Sequence, residues 1–378
     1  MKPEIFSEIG PIEKVIVHAP GDEHNRVLPV HIQPYIEDQD KITKNKDFLL
    51  FDDIIDIKLA KEQHQTFKDI INFYRPGSCI ELSSLFEDKQ YFNNLLKDKF
   101  PLINLMYTRD IAAIIGNNIF LTYSHSRVRR KESELAEDLF NSSIFENYNI
   151  IDFKKIGNGL SLEGGDIFVM SNEIVFIGIS ERTSKEAIDL IIPYIFEQNF
   201  KHVIALDLPK KRSMMHLDTI FTQISHNEVI LFDDSENNPI NDLDVYLTSK
   251  TNETQKLEKV DNTILDLFKT FGFDFQIIKC GGEQSNFKLR EQLTDGANSF
   301  ALDIGKIIMY NCNDRTIEEL EKNGYHHITS KLFKEDIESF EQILKSDKKV
   351  VISIDASELV KGRGGPRCMT LPIRRSII

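Results

Sequence analysis

Residues 161–179 read SLEGGDIFVMSNEIVFIGI, two β-branched and aromatic runs split by a short polar stretch. This is the signature of a hairpin, with strands at 167–170 and 174–179 and a turn at 171–173. The same pattern stands on either side of it. Upstream, NLMYTRDIAAIIGNNIFLTY at 104–123 gives strands at 112–115 and 119–122 about a turn at 116–118. Downstream, MMHLDTIFTQISHNEVILF at 214–232 gives strands at 219–224 and 229–232 about a turn at 226–228. Each hairpin has a polar residue at its entrance, and these residues, Asp110, Glu163 and His216, lie at two equal gaps of 53. Matching hairpins behind each of them make that spacing an internal repeat, which controls the fold.

Helical patterns alternate with the hairpins at 131–139, 184–196, 256–271 and 314–323. In the second, Ala187, Ile188, Ile191 and Ile192 form a turn-spaced apolar stripe, with Thr183 or Ser184 available as a cap and Pro193 an objection to continuity. A fourth hairpin is expected at 299–303 and 306–310, and strands at 14–18 and 350–355 are expected to contribute to a fifth unit. The repeated unit is thus strand, strand, helix, strand, an α/β architecture. Units arranged about an axis bring every hairpin entrance to one mouth. The polar segment 22–60, ending in LLFDD and a helix expected at 58–73, is read as a cover over that mouth. Residues 234–244 read as an exposed loop. With no convincing linker, residues 1–378 are expected to form one catalytic domain, the variable cover lying within 22–100.

Composition excludes several classes. A formal charge of −14, from 60 acidic and 46 basic side chains, argues against phosphate binding and so against nucleic acid. No run approaches the ~18 apolar residues of a membrane span, and the N-terminal residues carry acids and a proline where a secretory signal needs an apolar stretch. A cytoplasmic protein with no membrane partner is expected. The four cysteines, at 79, 280, 312 and 368, have no metal-ligand spacing and read as reduced thiols.

Chemistry concentrates in KGRGGPRCMTLP at 361–372. Cys368 follows a glycine-rich turn in which Arg363 and Arg367 offer a positive field favouring a thiolate. A buried core thiol is the plainer alternative. His216 and Asp218, two residues apart, share a side in extended chain. Too few further ligands accompany them for a metal, so an acid–base histidine fits better. Asp110, Glu163 and Asp218 around a histidine and a thiol repel one another unless a cation neutralises them. That set predicts a cationic substrate, and a planar guanidinium has N–H donors for two carboxylates. Asp110 has an alternative use in a salt bridge to Arg109, and Asp166 reads as a turn residue. Arg129 and Arg182 are again 53 apart, each 19 residues past its unit's acid, and suit a carboxylate fork or an exposed surface.

These motifs, VIVHAPG, LLFDD, YTRD, EGGD, MHLDT, REQLTDGAN and RGGPRCM in that order, resemble the arginine deiminases of the guanidino-group modifying superfamily. The resemblance covers most of the chain. It implies a five-fold pseudosymmetric α/β propeller of ββαβ-type units. It further implies Cys368 as nucleophile, His216 steered by Glu163 as general acid and base, and Asp110 and Asp218 gripping the guanidinium. Asn104, Arg129, Arg182 and Arg363 match positions that hold the substrate's α-carboxylate end. The implied reaction is hydrolysis of L-arginine to citrulline and ammonia through a cysteine thiouronium, with no cofactor and no metal. An amidinotransferase, a hydrolase of another guanidino compound and a non-catalytic arginine-binding paralogue are the alternatives, and a homo-oligomer is compatible with the sequence. One departure stands out: the helical insertion typical of bacterial members before the TRD motif looks largely absent, with the polar stretch at 22–47 taking some of its place.

Overall fold

The hairpins form where the alternation of apolar runs and tight turns requires them. In a computed structural model, which describes residues 2–38, 41–96, 101–233 and 239–378, Ala112–Ile115 pairs antiparallel with Asn118–Leu121. Gly116 makes that turn at φ +61, with the Gln198 side chain against its α-carbon. Ile150–Asp152 then adds in parallel to the second strand of the hairpin after the helix Arg130–Phe140. The second unit repeats the plan with Ile167–Val169, Ile174–Ile179, the helix Lys185–Glu197 and the parallel strand His202–Asp207. Phe221–Ser225, Glu228–Leu231, Ile264–Thr270 and Gln276–Lys279 form the third unit. Phe300–Asp303, Lys306–Tyr310, Asp314–Lys322 and Val350–Ile354 form the fourth, widened by His326–Thr329.

The fifth unit is assembled from both ends of the chain. Leu371–Arg375 pairs antiparallel with Ile12–Val17, which pairs in parallel with Cys79–Glu81 after the helix Ile57–Tyr74. The expected partnership of strands 14–18 and 350–355 is therefore corrected: the latter belongs to the fourth sheet. Its all-apolar face fits a sheet interior, where it lies between two parallel neighbours. Five ββαβ units in pseudo-five-fold array give the expected α/β propeller.

Two further expectations change. The helix expected at 256–271 begins only at Ile264, capped by Thr263; Glu258–Val260 is a strand that, with Val245–Ser249, extends the second sheet to five strands. The segment 22–60, expected to be a cover, contains a hairpin, Tyr35–Asp38 with Lys41–Lys44. Of the loop expected at 234–244, residues 234–238 lie outside the described part, and Ile240–Asp242 is a single 3-10 turn. Pro193 does not break its helix, whose Ile188, Ile191, Ile192 and Ile195 are fully buried. Each such side chain contributes ~1.5–3 kcal/mol of burial, enough together to outweigh the hydrogen bond the proline removes.

Where the hairpins converge, the interior is polar. Glu8 lies among Arg109, Arg367 and Arg375, all buried. Arg367 Nε donates to Glu8 Oε1 at 2.8 Å and Arg367 NH2 to the Ile167 carbonyl at 2.8 Å, while the guanidinium lies 3.6 Å from the centre of the Phe168 ring. Burial opposes ionisation of Glu8, but the three arginines more than offset it and hold its carboxyl below the usual range. Glu8→Ala should therefore cost about 3–5 kcal/mol in urea unfolding, because buried guanidinium charge loses its counter-ion. A loss below about 1 kcal/mol would show that Glu8 does not hold this centre.

Candidate active site

The five hairpins are entered through five turns, and these turns are tied into a closed ring. Gly165 N, in the second, donates to Asp110 Oδ1 of the first at 2.9 Å. Leu217 N, in the third, donates to Asp166 Oδ1 of the second at 2.9 Å. Asn298 Nδ2, in the fourth, donates to the Asp218 carbonyl of the third at 3.0 Å, and its own Oδ1 accepts from Cys368 N of the fifth at 3.0 Å. Arg109 N closes the circuit onto the Cys368 carbonyl at 3.1 Å. Symmetry thus brings Asp110, Glu163, His216, Asp218 and Cys368 together, as the sequence predicts. Glycine is required at 164 and 165, where a β-carbon would lie 2.1 Å from the Arg109 carbonyl oxygen and 2.5 Å from the His216 ring.

Charge is distributed unevenly in this ring. His216 Nε2 lies 2.8 Å from Glu163 Oε2 and 4.0 Å from Asp110 Oδ1. The other Glu163 oxygen accepts from Ser124 Oγ and His125 N. Burial disfavours ionised Glu163, yet Arg182, the His216 hydrogen bond and Arg129 hold it well below the carboxylate range. Burial alone would also deprotonate His216, but Asp110, Glu163 and Asp166 lift it to about 10, so at neutral pH it is an imidazolium. Cys368 shows the reverse. Burial, then Asp218, Asp110 and Asp295, raise its thiol well above the usual value.

The positive field expected from Arg363 and Arg367 is outweighed at the sulfur: Arg367 favours the thiolate, but burial and the carboxylates of Asp218, Asp110 and Asp295 oppose it more strongly. Arg367 NH1 donates to Asp218 Oδ2 at 2.9 Å, so its charge is balanced by Asp218 and Glu8. The thiol also donates to Asp218 Oδ2, at 3.5 Å, while Asp218 Oδ1 is buried without a hydrogen-bond partner. Arg363 is engaged elsewhere, donating to the Leu293 carbonyl at 3.4 Å and standing 3.6 Å from Asp52. The fork expected from the arginines is divided. Arg129 grips Asp110 Oδ2 at 2.7 Å and Glu132 at 2.7 Å, and Arg182 stands 3.7 Å from Glu163 with its Nε unpartnered. Asn104 Nδ2 donates to the Leu49 carbonyl at 2.7 Å, tying down the LLFDD segment, and its own carbonyl faces Arg129.

Sequence reading missed Asn298 and the anchoring role of Arg367. Asn298 stands two residues before the fourth hairpin, as Asp110 does before the first, and that equivalence was the available signal. Asp166, read as a turn residue, links the second and third turns and accepts from Ser180 as well. Among the described residues one group has the spacing of a metal site: Asp110, Glu163 and His216. Protein donors already bind both oxygens of Asp110 and of Glu163, and Arg129 and Arg182 press positive charge upon them. The set is chemically arranged as a proton-holding network.

A family model described as arginine deiminase matches residues 90–375. This chain belongs to the arginine deiminase family. The arginine deiminase of Borreliella afzelii strain PKo is 30% identical over 442 aligned positions, covering 99% of this chain and 98% of that protein. That of Listeria monocytogenes serotype 4b is 27% identical over 439, covering 98% and 97%. Alignments longer than the 378 residues here mean that these relatives carry stretches without counterpart in this chain. Among solved structures, the product-bound N-terminal domain of ArgZ, an arginine dihydrolase from the ornithine-ammonia cycle in cyanobacteria, matches with TM-score 0.60 at 14% identity, covering 97% of this chain and 99% of that one. DDAH from Pseudomonas aeruginosa complexed with citrulline matches at 0.55 and 16%, covering 96% and 99%. At such identities these two establish the shared propeller fold.

Membership of the arginine deiminase family makes the chain an enzyme of hydrolytic guanidino-group chemistry. The ring's electrostatics then yield a direct test on the free enzyme. Asp218→Asn removes a negative charge beside Cys368 while keeping the side chain's shape. Alkylation of Cys368 by iodoacetamide at pH 8, followed by peptide mapping, should accelerate about tenfold, the effect of one pKa unit. An unchanged rate would mean that Asp218 does not restrain the thiol.

Proposed function

We propose that the enzyme hydrolyses free L-arginine to L-citrulline and ammonia, with residues 1–378 acting as one catalytic unit. The observation that carries this reading is the unpartnered Asp218 Oδ1, buried beside a neutral Cys368 thiol and across the ring from a protonated His216. A buried carboxylate oxygen without a donor is costly, and a guanidinium supplies both donor and charge.

In this mechanism Asp110 and Asp218 bind the guanidinium, and its charge offsets theirs, so that Cys368 loses its proton to solvent as the substrate binds. The thiolate attacks the guanidinium carbon and forms a C–S bond. His216 gives its proton to a terminal nitrogen of the tetrahedral adduct, which leaves as ammonia, and an S-linked thiouronium remains. Water loses a proton to the now neutral His216 as its oxygen bonds to the same carbon. Collapse breaks the C–S bond as the adduct's hydroxyl proton passes to the departing sulfur, releasing citrulline and restoring the cysteine thiol. Glu163 orients His216 and sustains its proton. Arg363, Arg182, Arg129 and Asn104 serve the α-carboxylate end, which requires Arg363 to exchange Asp52 for the substrate and the Arg129–Asp110 pair to reorganise.

Arginine with no added amine should yield ammonia and citrulline in equal amounts. An absolute requirement for an acceptor amine would turn the reading towards amidino transfer. Cys368→Ala should lower kcat by at least about 10⁴-fold, as removal of other nucleophiles does. His216 offers a pH test with a definite sign. Because its pKa is raised to about 10, the acid form persists through neutrality and is lost only as pH climbs through that value. The alkaline limb of kcat/KM, which reports the free enzyme, should lie near pH 10 in the native protein and move down by about one unit or more in Glu163→Gln. A limb that stays where it was would remove His216 from the acid role.

A further inference from the structure

The motif LTDGAN at 293–298 contains a carboxylate that the mechanism leaves unused. Leu293 and Asn298 fasten this loop to the loop carrying Arg363 and Cys368. Arg363 NH1 donates to the Leu293 carbonyl at 3.4 Å, Arg367 N to the Asn298 carbonyl at 3.3 Å, and Cys368 N to Asn298 Oδ1 at 3.0 Å. Gly365 packs so closely on Asn298 that a β-carbon there would lie 2.7 Å from its carbonyl oxygen. Asp295 sits between these fastenings. It is only 4% exposed, and its Oδ2 has no hydrogen-bond partner.

Backbone conformation marks the same place. Six described non-glycine residues have positive φ, and three of them, Leu50 at 67°, Asp295 at 63° and Arg363 at 61°, belong to the segments that meet here. Such strain persists where surrounding contacts enforce it, and it concentrates at ligand clamps. The charges acting on Asp295 are Arg363, which favours ionisation, and Asp218 and Asp52, which oppose it. Burial dominates and lifts the carboxyl to about 7, so a cation arriving beside it would draw it into the ionised form.

An amino-acid head group presents a carboxylate and an ammonium on one carbon. A wall that recognises it needs a cation and an anion side by side. Arg363 and Asp295 provide that pair on two loops bonded to each other, and Asp52 now faces Arg363 as a substrate carboxylate would. We propose that Asp295 is a specificity-determining residue that accepts the α-ammonium of the substrate while Arg363 takes the carboxylate. The assignment rests on the reading of the substrate as a free amino acid with a guanidino end.

Binding to a Cys368→Ala protein, measured by calorimetry, tests it without turnover. L-arginine should bind at least about tenfold more tightly than 5-guanidinopentanoate, which lacks only the amino group. Adding Asp295→Asn should weaken L-arginine by about 10- to 100-fold and change 5-guanidinopentanoate by less than about twofold. Equal losses for both ligands, or none for arginine, would overturn the proposal. Equal affinity of the two ligands in Cys368→Ala alone would overturn it as well, whether or not the double variant folds. Hydrolysis is judged separately. Selective arginine binding without citrulline formation by the native enzyme would sink the proposed reaction and leave Asp295 in its role, whereas citrulline formation with no binding selectivity would sink only Asp295.

Discussion

The circuit of five hydrogen bonds joining the hairpin entrances constrains everything else in this molecule. Each link runs from one unit to the next, and the last, from Arg109 N to the Cys368 carbonyl, joins the first unit to the chain's C-terminal strand. Side chains supply three of the acceptors, Asp110, Asp166 and Asn298, so the ring is also where polar groups are driven into the interior. A buried polar ring is stable only when its members are satisfied, which fixes the entrance residues relative to one another to within a hydrogen-bond length. The sheets contribute burial; the ring contributes position.

Electrostatic consequences follow from which members carry charge. From Glu8 through Arg367 to Asp218 and Cys368 runs one line of contacts, in which Arg367 is flanked by two carboxylates and the thiol stands beyond them. On the opposite side, Arg182 and Arg129 stabilise Glu163 and Asp110, and these acids keep the proton on His216. A cysteine and histidine that might have formed a thiolate–imidazolium pair are thus held as a thiol and an imidazolium. The histidine begins with the proton a leaving amine needs, and the cysteine begins without the charge an attack needs. Only an added cation near Asp218 corrects the second without undoing the first.

The repeat was legible because the first two units are equally long: the entrances at Asp110, Glu163 and His216 come 53 residues apart, and apolar alternation marks each hairpin. That regularity ends at His216. Strands Val245–Ser249 and Glu258–Val260 are inserted into the third unit, so Asn298 arrives 80 residues after Asp218. These short strands follow a polar loop and run straight into the capped helix at Ile264, which is why 256–271 read as one helix. The fifth unit was misassigned for a different reason: no local pattern shows that a first strand at Leu371 will meet a second strand at Ile12. Residue types pointed to the groups that the ring gathers, but not to the destination of each charge. Arg367 adjoins the thiol in sequence, and its Nε meets Glu8, 359 residues away.

On the proposed reading, closure of the site connects substrate binding to activation. Cys368 is 5% exposed and His216 2%, and Asn104 and Arg212 hold the carbonyls of Leu49 and Leu50 while Asp52 faces Arg363. A substrate bearing both a carboxylate and a guanidinium meets two unmet demands on the proposed reading. Its carboxylate replaces Asp52 at Arg363, which frees the cover, and its guanidinium supplies the donor missing at Asp218 Oδ1. A cation alone lacks the means to open the cover, and an amino acid without the guanidinium leaves the sulfur as a thiol. On that proposed reading the requirement for both ends is built into the charge balance, and it keeps a reactive thiolate from existing in the empty enzyme.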